Sequence, residues 1–97
     1  MSKGVTRLGD LNTGHDLCAP TVLITSSSDV LINSKGAGRI SDKYAAHGCI
    51  DHDTHQDIIS QGSTTVFING RGAARIGDSV SIGGSIAEGS SNVFIGG

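Results

Sequence analysis

One six-residue string occurs three times in this chain, and that repetition limits what it can fold into more than any other feature. Val5-Thr6-Arg7-Leu8-Gly9-Asp10 recurs as Ala37-Gly38-Arg39-Ile40-Ser41-Asp42 and as Ala73-Ala74-Arg75-Ile76-Gly77-Asp78. Self-similarity of this kind implies an architecture built from copies of one unit. A second pattern runs between the copies, an aliphatic residue followed seven positions later by Val: Leu23 to Val30, Ile59 to Val66 and Ile86 to Val93. An apolar pair follows each Val, as Leu31-Ile32, Phe67-Ile68 and Phe94-Ile95. Lys35-Gly36 leads into the second string and Arg71-Gly72 into the third, so Lys3-Gly4 stands where the first copy needs the end of a preceding strand. Val93-Phe94-Ile95 supplies that strand from the C-terminal end. The chain reads as a circularly permuted threefold set whose termini meet, which predicts a pseudo-threefold object.

A closed set this small must find stability without a large core. The 97 residues predict one domain spanning 1–97, but only 36% are hydrophobic, 3% are aromatic, Trp is absent and 15 are Gly. Few large side chains are available to offset conformational entropy, and small domains in that position usually add a metal, a disulfide or a partner surface. With a net charge of -2 and no cluster of Lys and Arg, the chain carries no nucleic-acid footprint. The longest apolar run, around Val22-Leu23-Ile24, is far short of the roughly 20 residues of a membrane-spanning helix. Met1-Ser2-Lys3-Gly4 is followed by no apolar signal region, so synthesis and assembly in a bacterial cytoplasm are expected. A reducing cytoplasm favours thiols or metal ligands over a bridge between the two cysteines.

The expected fold class is all-β. Short runs such as Thr64-Thr65-Val66-Phe67-Ile68 are bounded by Asn-Gly and Gly-Gly, which signal hairpin turns. No stretch keeps an apolar i, i+3, i+4, i+7 pattern for three turns, so at most a helical turn is expected. Asp10, Asp42 and Asp78 read as turn formers that accept backbone N–H groups after each Arg strand.

The segment Asn69-Gly70-Arg71-Gly72-Ala73-Ala74-Arg75-Ile76-Gly77-Asp78, preceded by Gly62-Ser63-Thr64-Thr65-Val66, resembles the repeat of the PAAR family, named for Pro-Ala-Ala-Arg. Gly72 replaces the Pro here, and the second copy departs further, to Gly36-Ala37-Gly38-Arg39. The resemblance extends from Lys3 to Gly97. It implies a cone of short strands carrying a zinc ion near the apex, seated by its base on a trimeric β-helical spike with one tip per trimer. Such tips sharpen the spikes of type VI secretion systems and contractile phage tails and touch the target membrane transiently. A chain this short is most similar to the small single-domain tip protein of a contractile-tailed bacteriophage.

The metal-ligating residues also stand out without the family. His15, Cys18, His47, Cys49, His52 and His55 are all the histidines and cysteines of the chain, and they fall in two segments. His15 lies five residues after Asp10 and His47 five after Asp42, equivalent places at which the third repeat has Gly83. Residues two apart on an extended backbone point the same way, so His47 and Cys49 can hold one ion. The expected zinc ligands are His15, His47, Cys49 and one of His52 or His55, because imidazole and thiolate donors in a four-coordinate set select zinc over calcium or magnesium. Cys18 is expected to be buried and free.

Three functional classes follow. The leading expectation is a structural, non-enzymatic tip that is monomeric by itself and caps a spike for membrane puncture. The alternative is an adaptor recruiting cargo to the spike. A small zinc hydrolase is the third, with Asp51, Asp53 or Asp57 as base.

Overall fold

The computed structural model describes residues 2–97, an all-β arrangement of short strands measuring 37 × 25 × 23 Å. No helix occurs among the described residues. Its strands are two to four residues long: β1 (Lys3–Gly4), β2 (Leu31–Ile32), β3 (Lys35–Gly36), β4 (His47–Cys49), β5 (His52–His55), β6 (Phe67–Ile68), β7 (Arg71–Gly72) and β8 (Phe94–Ile95). They pair antiparallel as β1 with β8, β2 with β3, β4 with β5 and β6 with β7. The pairing of Lys3 with Ile95 puts the two ends of the chain side by side, as the repeat pattern requires.

Single backbone bridges organise the rest into a closed ring. Leu11 pairs with Val22, Leu23 with Tyr44, Lys43 with Ile58, Ile59 with Val80, Ser79 with Ser85, and Ile86 with Asn12, back to the start. Closure of this kind leaves the ring no free edge. All six pairings are antiparallel, so successive segments cross the ring in opposite directions. The connections 13–21, 45–57 and 81–84 therefore leave one side, and the other three connections leave the opposite side. On that second side lie the pairs β2–β3, β6–β7 and β8–β1. The Arg-x-x-Asp strings lie there too, cross-linked by the bridges Val5 to Arg75, Arg7 to Ala37 and Arg39 to Ala73.

Each string ends in the same clamp. The amides of Asp10, Asp42 and Asp78 donate to the carbonyls of Arg7, Arg39 and Arg75 at 2.9, 3.0 and 3.0 Å. The residue before each Asp has positive φ, at Gly9 (89°), Ser41 (78°) and Gly77 (90°), as a type II turn demands. Each carboxylate accepts its arginine's backbone N–H, so the Asp residues are the turn formers expected, and it also binds that arginine's guanidinium.

The core is thin and layered. Leu23, Tyr44, Ile59, Ala74, Val80 and Ile86 form one buried cluster around the ring. Val5, Ala37, Ile68 and Ala73 form a second, flanked by Val30, Ile32, Val93 and Ile95. Alternation along the Val-apolar-Ile runs divides them between core and surface: Val30, Val93 and the three Ile residues pack inward, while Leu31, Phe67 and Phe94 are 58%, 60% and 55% exposed and Val66 is exposed as well.

Candidate metal centre

Loops 13–21 and 45–57 leave the same side of the ring and carry every histidine and both cysteines. In the first, His15 and Cys18 exchange two backbone hydrogen bonds around a two-residue turn. In the second, β4 and β5 pair His47 with His55 and Cys49 with His52, with a register irregularity between His47 and Cys49. The third loop approaches closely through Gly83, where an added Cβ would sit 3.2 Å from Cβ of His15 and where φ is +138°. The third repeat thus keeps a glycine at the place where the others have a histidine, and the space goes to His15.

Three imidazoles converge. The Nε2 atoms of His15, His47 and His55 lie 3.0 Å from one another on every side of a triangle. Asp57, 1% exposed, caps it: Oδ2 is 3.2 Å from Nε2 of His15 and 3.0 Å from that of His47, and Oδ1 is 3.1 Å from that of His55. A regular tetrahedron with metal–nitrogen bonds of 2.0–2.1 Å has edges of about 3.3–3.4 Å. The three Nε2–Nε2 separations, 3.0 Å each, match one face of that solid slightly contracted, and the Asp57 carboxylate closes the fourth corner with Oδ2 toward His15 and His47 and Oδ1 toward His55.

The hydrogen bonding around the cluster fits a cation. Nδ1 of His47 donates to the carbonyl of Ala19 at 2.7 Å, and Nδ1 of His55 donates to that of Asp53 at 2.8 Å. A carbonyl only accepts, so each neutral ring keeps its proton on Nδ1 and turns a bare Nε2 lone pair into the cluster, the arrangement of metal-bound histidines. Both oxygens of Asp57 are buried without a hydrogen-bond partner. Lone pairs and a carboxylate packed this closely repel unless a cation lies among them. The set His15, His47, His55 and Asp57 can therefore hold a metal ion.

Two expectations are corrected. Cys49, expected as a ligand, is bonded through its sulfur to Cys18, and Cys18 is buried as expected but not free. The cause is the adjacency of the two turns, whose cysteine Cα atoms lie 5.0 Å apart, within bridging range. Of the two candidates for the last imidazole position, His55 joins the cluster. His52 turns outward, with Nε2 2.8 Å from Oδ2 of Asp16, and this contact holds the Asp16 carboxyl below the usual carboxylate range. Asp57, which the sequence suggests only as a base, stands two residues after His55, the same spacing as between His47 and Cys49, and this spacing is the signal for its place among the ligands. Asp51 and Asp53 are exposed.

No curated protein matches the chain at a significant level. The model of the PAAR motif matches residues 13–87 and, in an overlapping second match, 51–97. Together the matches take in both histidine loops and two of the three Arg-x-x-Asp strings. The chain thus belongs to the PAAR-motif family, whose motif is found in the spike-tip proteins of contractile injection systems.

Proposed function

We propose that this protein is the structural tip of a contractile injection machine, a phage tail or a type VI secretion system. One copy caps a trimeric β-helical spike, and a zinc ion held by His15, His47, His55 and Asp57 fixes its point. The observation that carries the reading is the set of exposed side chains Leu31, Phe67 and Phe94. Each stands on a two-residue strand opposite a glycine, Gly36, Gly72 and Gly4 respectively, so three hairpins offer an apolar side chain at one register. Exposed apolar groups repeated in this way mark an interaction surface. A single chain matches three identical partners only if it presents three nearly equivalent surfaces, and this gives the repeats a mechanical purpose.

The histidine loops leave the ring on the side opposite these hairpins, so a partner seated on the hairpins leaves the metal centre pointing away from the spike, toward the target membrane. Imidazole-rich donor sets suit zinc, and a site filled by four protein ligands serves structure rather than reaction. Native mass spectrometry of the tip mixed with a soluble trimeric spike tests the proposal. A complex of one tip and three spike chains is expected, whereas three tips per trimer, or no complex, refutes it. An additional bound protein would instead support the adaptor role.

A further inference from the structure

His15 has a second ring nitrogen that the apex cluster does not use. Its Nδ1 is buried and has no hydrogen-bond partner, in a side chain only 4% exposed. The nearest acid, Oδ2 of Asp16, is 3.9 Å away, beyond hydrogen-bonding distance, and is itself 2.8 Å from Nε2 of His52. His15, Asp16 and His52 each offer a ligand atom within 4.8 Å of the other two. Nδ1 of His15, Asp16 and His52 stand outside the His15 Nε2, His47, His55 and Asp57 set.

The backbone holds them together from two sides. The turn from His15 to Cys18 and the turn from Cys49 to His52 are each closed by pairing of their end residues. One carries His-x-x-Cys and the other Cys-x-x-His, and the Cys18–Cys49 bridge joins them. The bridge fixes one end of each turn, so the histidines at the other ends meet, with ring centroids 4.9 Å apart and planes at 81°. Asp16, from the first turn, lies within reach of both and has a side chain 60% exposed that is free to turn toward an ion.

We infer that Nδ1 of His15, the carboxylate of Asp16 and Nε2 of His52 form a second cation site on the shoulder of the apex; the His15 ring, whose Nε2 serves the apex, releases its Nδ1 proton to solvent as the second ion binds and bridges the two ions as an imidazolate. Two imidazole nitrogens and one carboxylate oxygen suit zinc, copper(II) or nickel(II), whereas magnesium and calcium prefer all-oxygen sets. With three protein ligands and an open face, the shoulder ion exchanges with solvent more readily than the enclosed one. The site is independent of spike docking and touches the apex cluster only through His15.

Zinc titration of the full oxidised chain against a chromophoric chelator tests the inference, with folding checked by circular dichroism. Two zinc ions per chain are expected, one tight and one weaker. Asp16→Asn and His52→Ala should each weaken the second ion at least tenfold and leave the tight one unchanged. Both residues are surface positions outside the apex set, so the variants should fold. A single ion in the unaltered chain, or a second ion retained with unchanged affinity in either variant, overturns the site. Weakening of the tight ion alone would make Asp16 a support of the apex centre, and would also overturn it.

Discussion

Replacing Asp78 with Asn removes one negative charge from the most enclosed of the three arginine clamps. Asp78 is 0% exposed; its Oδ2 accepts from the backbone N and Nε of Arg75, both at 2.9 Å, and its Oδ1 from Nη2 at 3.0 Å. The same hydrogen bonds raise the Arg75 guanidinium above its ordinary range, so the cation stays when the carboxylate goes. A buried charge stripped of its partner costs about 3–5 kcal/mol, a large part of the roughly 5–15 kcal/mol that holds a small domain together. The first clamp is wetter, with the side chains of Arg7 and Asp10 15% and 7% exposed, so Asp10→Asn should cost about 1–2 kcal/mol. Urea unfolding of metal-saturated protein should show a lowered midpoint at unchanged slope. The double variant Arg75→Met with Asp78→Leu should recover part of the loss, because no charge is then orphaned. A cost under about 1 kcal/mol for Asp78→Asn, or a larger cost for Asp10→Asn, refutes the burial-based ranking.

Tyr44, the chain's single tyrosine, is fully buried with an unpartnered hydroxyl, and burial first, then Asp10 and Asp42, raises its pKa. The folded state keeps a proton that the unfolded chain loses above about pH 10, so stability should fall there by about 1.4 kcal/mol per pH unit. Tyr44→Phe should abolish that slope and be neutral or stabilising at pH 7, whereas tyrosinate absorbance appearing near pH 10 in native protein would contradict it. Reducing the Cys18–Cys49 bridge, which spans a sequence separation of 31, should lower stability by about 3–4 kcal/mol, and Cys18→Ala should match reduced protein and ignore reductant. Chelation should lower the melting temperature of the unaltered chain markedly, and Asp57→Ala should weaken the tight metal while leaving the bridge intact; unchanged melting on metal removal would contradict a pinned apex.

The repeats made the architecture legible. Matching the strings predicted the adjacency of Lys3 and Ile95, the turn role of Asp10, Asp42 and Asp78, and a domain of short strands. The metal centre was legible in part, because His15 and His47 occupy equivalent places in successive repeats. What the sequence did not carry was which turns lie side by side. The ring sets 13–21 against 45–57, and that contact joins Cys18 to Cys49 and removes Cys49 from the donors. The two-residue turn at Ile50-Asp51 aims His55 inward and His52 outward, a choice that spacing leaves open. Asp57 fills the fourth position, and its burial follows from the ring segment it enters at Ile58.

The end of the molecule that meets the spike can be read from a paired binding measurement. Phe67→Asp and Phe94→Asp place charges among the exposed hairpin side chains, while Ile50→Asp alters an 88% exposed residue on the opposite side of the ring. With folding and metal content verified, binding of each variant to an immobilised trimeric spike should show the hairpin variants losing affinity at least a hundredfold and Ile50→Asp binding as the unaltered chain does. The reverse pattern, with Ile50→Asp failing to bind and the hairpin variants binding normally, would contradict a tip that docks by its hairpins and points its histidines away.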